Sequence, residues 1–383
     1  MGTGTKCNRC DHSVSRAGSR TRRLANLRAF SPTAPGAPVA LRPYVVRRAV
    51  AGEPYSLNDG LGLRTIEIDG RSNTEILELS PALASQPVFE QAIRGRASRY
   101  ADLDIRSFAP VRRVERTGSA VHVISEVPSG VRLSDLLTHL ESTGEVVPES
   151  AILELASLVI NAVASLHAWP GGLAHGGINA SHVLLTNDGR VILTDCIFGA
   201  GLEVLQRNRE VLWKEFGLAM PPAASLARFD QQADVTQMGA LILAIILQRP
   251  MRAHEYPRGV SDLVVTATES STVPGSPGSA SALRLWLQEA LQIHPRLAFR
   301  SAVEAQRSFA DINNRPGSRR AGAMALQVLL RTTCGEPLDQ PRVMLNPSRP
   351  AAVAQAPSQS APPAQQERPS AFDSILRSVF PKH

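Results

Sequence analysis

The segment that most constrains this chain is a short hairpin wedged between two helices. Val183–Thr186 and Val191–Thr194 are apolar strands separated by Asn187-Asp188-Gly189-Arg190, a strong turn sequence. Upstream, Ala151–Leu166 places Ile152, Leu155, Ala156, Val159, Ala162, Val163 and Leu166 on one stripe, and Pro170-Gly171-Gly172 ends the helix. Downstream, Asp234–Gln248 is apolar on nearly every side, so it must be buried all round. Its apolar run, Met238–Leu247, falls well short of the roughly 20 residues of a membrane span. A hairpin held between such helices demands a large helical layer, and Ala280–Gln292, Ser301–Ile312 and Arg319–Arg331 supply further helical segments.

The half before it reads differently. Arg64–Ile68 alternates and reaches the turn signal Asp69-Gly70, and Glu75–Leu79 alternates after it. Pro87–Tyr100 reads as a helix, and Val111–Val114 and Ala120–Val127 as strands. The expectation is an α+β chain with a small strand-rich N-terminal lobe and a larger helical C-terminal lobe.

Charge separates this body from its flanks. Residues 1–50 hold ten Lys/Arg and one acid, whereas the remaining 333 hold 31 basic and 33 acidic residues, about −2. A nucleic-acid-binding body is disfavoured, since phosphate binding needs a concentrated basic surface. Residues 1–43 read as a flexible basic arm, whose contact with nucleic acid or anionic lipid is a weaker expectation than plain solvation. Cys7-Asn-Arg-Cys10 with His12 is half a zinc site at most. Pro337–Pro369 carries eight prolines among Ala, Gln and Ser and reads as disordered. Phe372, Ile375, Leu376, Val379 and Phe380 then share one helical face, a candidate docking peptide for a protein partner. Four scattered cysteines and no signal-peptide core lead to the expectation of a cytoplasmic protein.

Several segments, in order, resemble a protein kinase domain over about residues 44–312. His175-Gly-Gly-Ile-Asn-Ala-Ser-His-Val-Leu-Leu185 is similar to the catalytic loop H-R-D-L-x-x-x-N, and Thr194-Asp195-Cys196 stands in the place of D-F-G. Asp234-Val-Thr-Gln-Met-Gly239 resembles the start of the buried central helix, His294–Ala302 the entry to the last helix, and Ile124–Leu137 the hinge and the helix after it. The resemblance implies a two-lobed kinase-like fold, with boundaries at 1–43, 44–127, 128–315, 316–336 (an extra helix) and 337–383. It also implies structural roles for His175, bracing the loop, and Asp234, tethering its backbone.

The chemistry departs from the family. Phosphoryl transfer uses a lysine on the third strand, and no lysine lies between residues 7 and 213; Glu78 is expected at its place. The helix carboxylate that would position it falls at Gln91, or one residue off at Glu90. Gly177 occupies the base position and cannot accept a proton, Asn179 replaces the loop lysine, and His182 replaces the metal-binding asparagine. Asp195 survives as a lone candidate for Mg²⁺, and Gly60-Leu61-Gly62 offers only part of a phosphate-cradling loop. The A-P-E end of the activation segment reads Pro221-Pro222-Ala223, and its arginine partner falls at Ala298, with Arg300 nearby.

The leading expectation is therefore a catalytically inactive kinase-like domain, a pseudokinase acting through protein partners, with no cofactor assigned. Two alternatives stay open here: a divergent ATP-dependent serine/threonine kinase using Arg64 on phosphates and Asp195 on metal, and a nucleotide-binding switch without transfer.

Overall fold

The computed structural model describes residues 51–69, 72–103, 105–222, 226–270, 277–313 and 318–333, which belong to one compact unit. Cys7, Cys10, the basic arm, the Pro-rich segment and Phe372–Phe380 lie outside the described residues.

The first lobe is built on an antiparallel sheet in the order β1-β2-β3-β5-β4, comprising β1 (Tyr55–Ser56), β2 (Gly62–Asp69), β3 (Ser72–Leu79), β4 (Val111–Thr117) and β5 (Ala120–Val127). Alternation sets its inner face: Leu77, Leu79, Val121 and Val123 are buried on the side covered by helix. A single turn α1 (Pro81–Ala84) leads into α2 (Pro87–Tyr100), whose Phe89 and Ile93 are fully buried. Proline opens both helices, at a position where its missing N–H costs nothing.

After a connector through Pro128 and Ser129, β6 (Gly130–Arg132) pairs with the hairpin β7 (Val183–Thr186) and β8 (Val191–Leu193). The helices of this lobe begin with α3 (Leu133–Thr143) and α4 (Glu149–His167). By length and composition α4 could cross a bilayer, yet it packs against the helices of its own lobe and most of its surface is buried.

Then come α5 (Phe198–Val204), α6 (Arg209–Phe216) and α7 (Gln231–Leu247). Helix α7 starts three residues before the expected Asp234, because Asp230 caps it by accepting from the amides of Gln232 and Ala233, both at 3.0 Å. It is buried from Ala233 to Ile246, as its all-round apolarity requires. The layer ends with α8 (Val260–Ser270), α9 (Pro277–Ala290), α10 (Ala302–Ile312) and α11 (Ser318–Thr333). Trp286, 1% exposed, packs edge-on to Phe309, and its indole donates to the Ala305 carbonyl at 2.9 Å.

The elements β1, β6 and α1 are only two to four residues long, too short for any period to show in the sequence.

Candidate functional site

Strand register decides which side chains enter the space between the lobes. Leu77 lies opposite Arg64 and Glu75 opposite Ile66 across the β2–β3 ladder, so Arg64, Ile66, Glu75 and Leu77 share a face. Glu78, expected at the lysine position, is corrected by this register. It sits on the opposite face, with its side chain 57% exposed beside His122. The inward carboxylate is Glu75.

Arg64 is fully buried and joins three acids. Nη1 lies 2.7 Å from Glu75 Oε1 and 3.2 Å from Asp195 Oδ1, and Nη2 lies 2.7 Å from Asp59 Oδ2. Arg132, at the end of β6, donates to Glu75 Oε2 and to Thr194 Oγ1, both at 2.6 Å. The Tyr55 hydroxyl donates to Glu75 at 2.5 Å. Thr194 in turn donates to Asp195 Oδ2 at 2.7 Å. Three carboxylates thus face two guanidiniums, all at or below 6% exposure.

Burial by itself would raise the Asp195 carboxyl. Arg64, then His182 and Arg132, outweigh it and hold Asp195 at about 2. Asp59 behaves alike: burial opposes its charge, and Arg64 and His182 overcome that and keep it well below the usual carboxylate range.

The segment expected to be a catalytic loop is held from below. Asp234 accepts from the amides of His175 at 2.5 Å and Gly176 at 2.6 Å, and contacts His167 Nε2 at 2.9 Å. His175 Nε2 lies 2.9 Å from the Thr194 carbonyl, linking the loop to the hairpin. Burial depresses the His175 imidazole to about 4, so it is neutral at pH 7. Asp234 thus ties down the backbone at His175 and Gly176, and His175 ties that segment to the end of the hairpin.

The chemical positions are occupied differently. Gly177 presents no side chain. Asn179 caps the single turn Ala180–His182 with its carbonyl oxygen, and its amide donates to the Phe216 carbonyl at 2.9 Å. His182 uses Nδ1 on the Gly177 carbonyl at 2.5 Å and Nε2 on Asp59 at 3.2 Å.

Gly60 and Gly62 make close approach feasible for a turn that lies down on the protein. An added Cβ at Gly60 would meet the Glu215 carbonyl oxygen at 2.4 Å, and one at Gly62 would meet that of Glu78 at 2.0 Å. This turn carries Asp59 into the cluster, and Asp59 was not a candidate from the sequence. On α2, Glu90 pairs with Arg94 and Arg116, and Gln91 is exposed; neither reaches Arg64.

A magnesium ion held by Asp195 against a triphosphate does not fit this arrangement. Each Asp195 oxygen already has a donor, nearby His182 is engaged at both nitrogens, and Arg64 and Arg132 are spent on internal carboxylates. Among the described residues, no group of three or more His, Cys, Asp or Glu is arranged for a metal. On the hinge side a cleft of about 1160 Å³ remains, lined by Tyr55, Ile66, Val127, Val131, Leu184 and Asp135 among others.

No protein-family model matches the chain. Mouse serine/threonine-protein kinase PAK 4 is 28% identical over 141 residues, covering 37% of this chain and 22% of that protein. Serine/threonine-protein kinase STE20 of Eremothecium gossypii is 24% identical over 173 residues, covering 45% and 17%. The chain thus spans about a fifth of the length of the curated relatives it matches. Among solved structures, a mutant form of the Mycobacterium tuberculosis PknI kinase domain is 18% identical, covers 71% of this chain and 99% of its own, and superposes with a TM-score of 0.50. At that identity the likeness speaks to fold, and the fold of this chain is that of a protein-kinase-like domain of the α+β class.

Proposed function

We propose that this kinase-like domain is catalytically silent and works by binding other proteins, a pseudokinase used as a scaffold or regulatory module. The observation that carries this reading is the sealed cluster of Arg64 with Asp59, Glu75 and Asp195. A triphosphate entering there would meet three carboxylates with no spare cation, and separating Arg64 from them would leave buried charges unpaired. With Gly177 at the base position, an acceptor hydroxyl has no side chain to take its proton.

The test is a thermal-shift titration of the full chain with Mg·ATP, paired with a radiolabel transfer assay. No stabilisation and no labelled product are expected. Product formation that disappears in Asp195→Asn would overturn the reading in favour of a divergent serine/threonine kinase. A nucleotide switch is the second reading, favoured by the open hinge-side cleft. It requires a shift without product.

A further inference from the structure

We propose that a second cleft, at the C-terminal end of α2, binds a phosphate monoester carried on a serine or threonine of a partner protein. The cleft measures about 530 Å³ and gathers Arg96 and Arg99 from α2 with Arg300 from the segment before α10. Its remaining walls are the stretch Gly171–Ala174 and the start of α7.

Arg96 is already positioned. Its guanidinium lies 4.9 Å above the Tyr100 ring and donates to the Ala174 carbonyl, while its Nε has no acceptor. A cation held by stacking loses little further freedom when it binds an anion. Arg99 and Arg300 are exposed, and neither forms an ion pair among the described residues. The carboxylate in the lining, Asp230, is committed to capping α7. Three guanidiniums against one engaged acid is a local excess in a body whose acids slightly outnumber its bases.

Elsewhere on the surface, Arg112, Arg249 and Arg252 each face a carboxylate, while Arg106, Arg207, Arg258 and Arg296 are exposed without an ion pair among the described residues; what distinguishes the cleft is that three guanidinium side chains line one cavity. A phosphate dianion, with three acceptor oxygens, satisfies convergent guanidiniums better than one carboxylate does. The cleft is much larger than a phosphate ion, which leaves room for the residues flanking a phosphorylated side chain. This inference does not depend on how the interlobe cleft treats nucleotide.

The experiment uses the full chain in fluorescence-anisotropy titrations with a degenerate pool of labelled phosphoserine peptides and the same pool unphosphorylated, with inorganic phosphate as competitor. The variant is Arg99→Gln/Arg300→Gln. Both positions are exposed, so folding is preserved, and the variant keeps the basic residues 1–50, so any loss belongs to the cleft. Phosphopeptides are expected to bind, the unphosphorylated pool not to, and phosphate to compete only at high concentration. The variant should weaken binding by roughly tenfold for each guanidinium removed. Equal binding of both pools, unchanged affinity in the variant, phosphate binding without peptide binding, or no binding at all would each overturn the proposal.

Discussion

At the level of single residues, the decisive substitutions act through charge in a low-dielectric place. Arg64 can lie fully buried only because three carboxylates surround it, and each carboxylate is tolerated only because of the arginines. Asp135, on the rim of the hinge-side cleft, lacks such support. Burial raises its carboxyl to about 6, and Arg132 offsets this only in part. A carboxylate that the fold makes harder to ionise carries its penalty fully above pH 6. The penalty shrinks as pH falls below 6 and is gone only below the ordinary carboxyl value of about 3.8, where folded and unfolded chains both bind the proton. Asp135→Asn should therefore stabilise by about 1–2 kcal/mol at pH 7.5, half the full shift because the group is partly exposed, and by only about 0.2–0.3 kcal/mol at pH 4. Urea unfolding at both pH values measures this, and a gain that is the same at both would contradict it.

At the level of elements, α5 shows how packing overrides local preference. Phe198-Gly-Ala-Gly-Leu-Glu-Val204 contains two glycines, so propensity argues against a helix. The glycines instead let α5 approach α2, where Phe198 stacks on Phe89 with ring centroids 6.4 Å apart. A Cβ at Gly201 would lie 2.6 Å from Phe89 Cε2 and 2.9 Å from Ile93 Cγ2. Alanine gains about 1 kcal/mol in helix propensity. Overpacking against two fully buried side chains costs about 1–3 kcal/mol. Three contacts under 3.0 Å on two fully buried side chains put the cost in the upper part of that range, so Gly201→Ala should be net destabilising by about 1–2 kcal/mol in denaturant titration. An alanine variant as stable as the parent would show that α2 and α5 are loosely docked. The same logic explains why Asp234–Gln248 was legible in sequence and α5 was not: a long, almost unbroken apolar run announces a buried helix, whereas a short glycine-containing segment shaped by its neighbours does not.

For the whole molecule, the cluster is a staple. Asp59, Arg64 and Glu75 come from the first lobe, while Asp195 and His182 come from the second. Replacing Arg64 with methionine leaves three buried acids short of a cation and should cost about 3–5 kcal/mol. Because the staple joins the lobes, amides of β2, β3 and the segment from His175 to Asp195 should lose hydrogen-exchange protection together. A loss confined to β2 would mean that the lobes are held by other contacts.

The sequence by itself determined the order of a strand-rich half before a helical one, the hairpin and the buried α7, because periodicity and turn chemistry are local. The absence of any lysine between residues 7 and 213 was equally plain. Only the tertiary structure decided that Glu75 rather than Glu78 faces inward, that Asp59 is carried into the cluster, and that Arg132 completes it. Strand register and the path of a glycine turn are set by pairing with distant segments, and a change of one position in register sends a side chain to the opposite face.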